Sequence, residues 1–220
     1  MKLSYNFISL VAMGNFNPAI LSSDFLQKVC ELHLGQATPL TPPDMPVLRG
    51  LKFPEHEFLI DLERLSLKEI KIKDIHKTKV IEIFRAYYRN LPHTPLGAVG
   101  VNINCDFAFE EGNDIDSLSK RIKDPSTYLD FFGVDEIDIT QRSLHRRDQK
   151  IFMASDLRVE NVKSLTRLIN IKKAGQNSFS VNYNCEASYL NQDISRLELL
   201  FEQYEEFCNE FLSFTKYLEG

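Results

Sequence analysis

Gly97-Ala98-Val99-Gly100-Val101-Asn102-Ile103-Asn104-Cys105-Asp106-Phe107-Ala108-Phe109 alternates residue by residue. Val99, Val101, Ile103, Cys105, Phe107 and Phe109 fall on one side of an extended chain. Gly100, Asn102, Asn104, Asp106 and Ala108 fall on the other. A period of two is the signature of a half-buried antiparallel strand, with one face on a core and one in water. Six of these residues, Val101-Asn102-Ile103-Asn104-Cys105-Asp106, return as Val181-Asn182-Tyr183-Asn184-Cys185-Glu186. Each copy precedes a similar helix start, Asp114-Ile115-Asp116-Ser117-Leu118 and Asp193-Ile194-Ser195-Arg196-Leu197. The repetition reads as a duplicated strand-then-helix unit.

Further strands are expected near 4–14, 47–53 and 57–72 before this strand, and near 134–144, 150–160, 165–173 and 178–189 after it. His145 to Gln149 and Ala174 to Asn177 read as hairpin turns. Helices are expected over 24–33, with Ser23 as cap, and over 75–91, where Val80, Ile83, Phe84, Tyr87, Tyr88 and Leu91 recur at helical spacing. Short helices follow at 114–122 and 126–132, separated by Pro125. The last helix spans about 193–217 with Asp193 as its cap. Along it Ile194, Leu197, Phe201, Tyr204, Cys208, Phe211 and Leu218 form a stripe that Leu200, Phe207 and Phe214 widen, broad enough to pack on a sheet. Glu202, Glu205, Glu206 and Glu210 are assigned to its outer face. Gly35 to Pro46 holds four prolines and reads as a surface loop.

Consecutive strands joined by short turns indicate an α+β fold with antiparallel sheets packed on helices. Two related β-α-β(n)-α halves, 1–96 and 97–220, are expected to pack as one unit and to end in the long helix.

A chain of 220 residues, 43% hydrophobic and 26% charged, can bury a substantial core without staples. Sixteen Phe, eight Tyr and no Trp make that core aromatic. The net charge of −5 does not favour tight non-specific binding to nucleic acid. Thr140 to Lys173 carries nine Lys/Arg against three Asp/Glu, and Gln192 to Gly220 carries two against seven, so the two segments have opposite signs. Cys30, Cys105, Cys185 and Cys208 are far apart, with no C-x-x-C and no zinc spacing. Reduced thiols and a cytoplasmic location are expected. Phe7 to Met13 is a short apolar run flanked by Tyr5-Asn6 and Asn15, without a small-residue cleavage site, and is expected to be a strand and not a signal peptide; no stretch reaches the roughly 18 apolar residues of a membrane span.

No nucleophile elbow, P-loop or dinucleotide fingerprint is present in the sequence. His33, His56, His76, His93 and His145 are scattered. No catalytic residue, metal ligand or cofactor is assigned. The binding candidates are the polar strand faces, Asn102, Asn104 and Asp106 with Asn182, Asn184 and Glu186. If the two strands are neighbours, amides and carboxylates line up on one open sheet face, able to take a polar ligand, a basic peptide or another subunit. Arg142, Arg146, Arg147 and Lys150, with His145, cluster at a hairpin tip that could contact phosphate. Asp61, Glu69 and Lys71 loosely match the carboxylate and Glu-x-Lys set of a metal-dependent nuclease.

The run from Lys79 to Asn104 is a helix, a Pro-containing turn and Gly100-Val101-Asn102-Ile103-Asn104. With Asn17-Pro18-Ala19-Ile20-Leu21, its layout resembles a sporadically distributed family of uncharacterised prokaryotic proteins. That resemblance implies a bacterial, archaeal or phage origin and brings no activity with it. The sheet-plus-long-helix units are also similar to SecB export chaperones and to helix-grip ligand-binding folds, which implies a groove between sheet and long helix. From the missing catalytic motifs, the polar strand face and the aromatic terminal helix, the expected function is a non-enzymatic protein-interaction component of a prokaryotic or phage system, with a protein partner or self-association. A chaperone or ligand-binding protein is the alternative, and a nuclease the last.

Overall fold

Ile8, Leu10 and Ala12 are fully buried on one face of the first strand, β1 (Lys2–Gly14), and of the residues between them Ser9 is also buried and Val11 half-buried, so this part of the strand is covered on both sides. The computed structural model describes residues 2–42, 45–108, 120–122, 124–133, 138–144, 152–162, 164–173 and 178–219. They form an α+β protein of antiparallel strands and helices, divided into two compact units that interleave along the chain. The first unit is Phe7–Asn102 with Ala187–Phe201, and the second is Met1–Asn6, Ile103–Glu186 and Glu202–Gly220.

In the first unit, β2 (Thr38–Pro39), β3 (Leu48–Lys52), β4 (His56–Asp61) and β5 (Arg64–Glu69) follow one another as antiparallel neighbours. β5 then pairs with β1, Ile8 opposite Glu69 and Met13 opposite Arg64. β6 (Leu96–Ala108) stands next to β1 in the strand order. The single strand expected over 57–72 is in fact a hairpin. Asp61 Oδ1 accepts the N–H groups of Glu63 and Arg64, both at 2.8 Å, and that side-chain turn reverses the chain without Gly or Pro.

α1 (Val80–Arg89) buries Val80, Ile83, Phe84 and Tyr87 at helical spacing. The expected helix over 75–91 is shorter because Ile75–Lys77 forms a separate 3-10 turn capped by Asp74. Over 24–33 the helix reduces to a wide turn at Phe25–Val29. Its start is capped by the Ser22 hydroxyl and not by Ser23, and Glu31 turns left-handed beyond it.

In the second unit, α2 (Pro125–Phe132) starts at the proline expected to separate helices. A proline suits the first helical position, where its missing N–H costs nothing. Asp124 caps that start, and Gly133 ends the helix in the left-handed region at φ 61°. β7 (Asp138–Leu144), β8 (Phe152–Val162), β9 (Leu165–Lys173) and β10 (Ser178–Ser188) run antiparallel in that order, with an irregularity between Val159 and Val162.

The terminal helix is broken. α3 (Ser195–Glu202), capped by Asp193, ends before Gln203, and α4 (Tyr204–Glu219) begins after it. Their apolar stripes serve different units: Phe201 meets Phe84 edge-on in the first, and Phe207, Phe211 and Phe214 surround Tyr183 in the second. Ile194, expected in the stripe, is exposed. Among the described residues no helix is long and apolar enough to cross a membrane.

Candidate functional site

The polar strand faces of the second unit are held from beneath. Val181, Tyr183 and Cys185 of β10 point into the core, opposite Ile171, Ile169 and Arg167 of β9. Arg167 thus occupies an inward position in a Leu-x-Arg-x-Ile-x-Ile strand and is 1% exposed. Its guanidinium donates to both carboxylate oxygens of Glu210 on α4, Nε to Oε1 at 2.6 Å and Nη2 to Oε2 at 3.0 Å. Tyr183 donates its hydroxyl to Glu210 Oε1 at 2.7 Å, and Arg167 Nη1 lies 2.9 Å from Cys185 Sγ. Glu210 therefore faces inward, not outward as the helix pattern suggests. It lies between Phe207 and Phe211 on the helix, and the buried guanidinium needs its charge.

Burial works against the charge of Arg167, and Glu210 more than restores it, so its pKa rises. Burial first, and the Glu210 carboxylate second, drive the Tyr183 phenol well above its ordinary value. Burial pushes the Cys185 thiol up to about 12 against the opposing influence of Arg167. Arg167 stays charged and the Tyr183 hydroxyl and Cys185 thiol stay protonated near neutral pH, and the network is part of the fold. It ties β9 and β10 to α4 and fixes which side of β10 faces outward.

On the outward side, Asn182 stands opposite Asn170, Asn184 opposite Leu168 and Glu186 opposite Thr166. Asn170 in turn stands opposite Asp156. On β1 and β6, Asn6 Nδ2 donates to Asn104 Oδ1 at 3.0 Å and to Asp106 Oδ2 at 3.1 Å, so one exposed amide clamps both acceptors. β6 and β10 are neighbours in the strand order, and the Cys105 thiol donates weakly to Val181 O at 3.9 Å. Burial, with the Asp106 charge adding to it, raises the Cys105 pKa.

The six expected binding residues thus divide. Asn104, Asp106, Asn182, Asn184 and Glu186 belong to the second unit. Asn102 belongs to the first and is 9% exposed, as is Asn184. None of Asn102, Asn182, Asn184 and Glu186 lacks an interaction partner. Asn6, whose amide organises the pair on β6, was missed. Alternation did not single it out, because Asn6 shares its parity with Ile8, Leu10 and Ala12, the buried positions of the same strand.

The phosphate cluster is only partly placed. Arg142 stands opposite Ala154 on β7, and Arg146, Arg147 and Lys150 lie outside the described residues. The nuclease set does not converge. Glu69 is opposite His56, so Asp61 lies five residues further along β4, about 17 Å away at strand rise. Asp61 holds the turn, and Glu69 accepts the Thr78 hydroxyl at 2.7 Å and the Lys79 N–H at 2.9 Å. Among the described residues no group of three or more His, Cys, Asp and Glu is placed to hold a metal ion. No known protein-family model and no curated protein matches this chain.

Proposed function

We propose that this protein is a non-enzymatic protein-interaction component of a prokaryotic or phage system, and that it engages a basic partner through the outward polar face of the second unit. The observation that carries this reading is the Asn6 clamp on Asn104 and Asp106. It holds an amide and a carboxylate in fixed positions, so little side-chain entropy is lost when a partner binds. Asn182 and Asn170 stand opposite one another on the neighbouring strand pair. Each amide offers both donors and acceptors, and Asp106 on β6 and Glu186 on β10 add carboxylates that suit lysines and arginines on the partner. The buried Arg167–Glu210 pair ties β9 to α4 on the other side of the strand.

Native mass spectrometry on protein purified gently from its own host tests this. The wild type is expected to carry a second polypeptide, and Asn104→Arg with Asn182→Arg to lose it while keeping the circular dichroism of the wild type. A wild type without a second polypeptide, or a variant that retains it, overturns the proposal.

A further inference from the structure

α1 carries two parallel pairs at a spacing of four residues. Phe84 and Tyr88 stack with ring centroids 5.9 Å apart and planes 4° from parallel. Arg85 and Arg89 follow on the adjoining ridge, because residues four apart share a helix face. Opposite them α3 presents Leu197, Glu198 and Phe201, and the seven side chains line a groove of about 390 Å³ within the first unit. That volume lies in the range of small-molecule sites.

The two arginines differ in how they are held. Arg85 is engaged twice: Nη2 pairs with Glu198 Oε2 at 2.8 Å, and the guanidinium lies over the Phe201 ring at 4.7 Å. Its charge is compensated and its orientation fixed. Arg89 is exposed and makes no ion pair among the described residues. The groove therefore joins aromatic and aliphatic walls to one uncompensated positive charge. A phosphate-bearing ligand with two or more charges would find a single free guanidinium and no cradle of backbone N–H groups. A ligand with one negative charge and a flat apolar body matches what is there.

We infer that this groove is a binding site for a small planar organic anion, an aromatic body with one carboxylate or sulfonate, whose charge meets Arg89 while its ring lies against Tyr88. Stacking and cation–π contacts reward a flat ring, and the guanidinium rewards the anion. This site is in the other unit from the polar face and does not depend on the function proposed above.

Anilinonaphthalene sulfonate is a suitable probe, because it has this chemistry and its fluorescence rises on burial. It is expected to bind the native protein saturably at one site. Its uncharged parent, phenylnaphthylamine, is expected to bind more weakly. Arg89→Glu, at an exposed position, should weaken sulfonate binding about tenfold, since an attraction becomes a repulsion. Glu198→Gln should instead tighten it about threefold by freeing the charge of Arg85. Lys52→Glu, an equal charge change elsewhere in the same unit, should leave it unaltered. The inference is overturned if the probe stays dark, if the uncharged parent binds as tightly, if Arg89→Glu and Glu198→Gln match the wild type, or if Lys52→Glu weakens binding as much as Arg89→Glu.

Discussion

Arg167 and Glu210 form a two-point ion pair inside the second unit, with both guanidinium-to-carboxylate distances at or below 3.0 Å and the arginine side chain 1% exposed. Two charges withdrawn from water are tolerated only when each is matched, and here Tyr183 supplies a third hydrogen bond to the carboxylate. The pair also joins one residue of the basic segment to one of the acidic segment that the sequence sets apart.

Removing one partner should cost more than removing both. Glu210→Ala leaves the Arg167 charge buried and should lower unfolding stability by about 3–5 kcal/mol. Arg167→Met combined with Glu210→Leu should restore most of that loss or exceed the wild type. Tyr183→Phe should cost about 1 kcal/mol. Urea unfolding followed by far-ultraviolet circular dichroism measures all three, and a double variant as unstable as Glu210→Ala would mean the pair itself drives folding.

Glu69 makes stability depend on acid. Burial raises its pKa, but the His56 imidazole, whose Nε2 lies 3.8 Å from Glu69 Oε2, and hydrogen bonds from the Lys79 N–H and the Thr78 hydroxyl outweigh that and hold it below its ordinary 4.5. A carboxyl depressed in the folded state stabilises at pH above its unfolded value, and the contribution fades as pH falls through the folded value. Glu69→Gln should therefore cost about 1–2 kcal/mol at neutral pH and progressively less below about pH 4.5. A stability gap between variant and wild type that stays constant down to pH 3 would remove Glu69 from the acid response.

Much of the strand architecture was legible because it rests on alternation, as in Val99 to Phe107, and α1 because its apolar residues recur at helical spacing. What was hidden lay where polar side chains replace the usual markers. The turn after Asp61 contains neither Gly nor Pro, and the carboxylate of Asp61 takes their place. The break at Gln203 likewise has no breaker residue. Arg167 and Glu210 each look like surface charges in one dimension, and only the pairing of β9, β10 and α4 makes them core residues. In the candidate site, the polar residues of both repeated strands could be named from the period of two. Asn6 could not be assigned to them, because its partners lie about a hundred residues away in sequence.

Two glycines should respond oppositely to the same substitution. A Cβ at Gly14 would run into the Pro95 carbonyl oxygen, with Phe16 Cε2 at 3.3 Å behind it. Backbone cannot step aside as a flexible side chain can, so Gly14→Ala should cost about 1–3 kcal/mol. At Gly97 the nearest atom is Met13 O at 3.8 Å, an ordinary contact. Gly97→Ala should be neutral, or stabilising by about 0.4–1 kcal/mol through the unfolded chain. Thermal melts of the two variants decide, and equal losses would show that crowding is not the reason for glycine at 14.

All four cysteines are buried free thiols. Burial is the main cause that pushes Cys30 up to about 11, against a hydrogen bond with Asn90, and Cys185 up to about 12. The thiolate is the reactive form, so a raised pKa and lack of access act in the same direction. Ellman's reagent at pH 8 should label the native protein only as fast as it opens, and all four thiols at once in denaturant. Glu210→Ala should speed native labelling of Cys185, because loss of the carboxylate loosens the arginine packed against that sulfur. Peptide mapping after brief labelling reads the site. Immediate modification of Cys185 in the wild type would contradict its burial on β10 beside Arg167, and labelling of Cys30 alone would instead locate the weak point in the first unit.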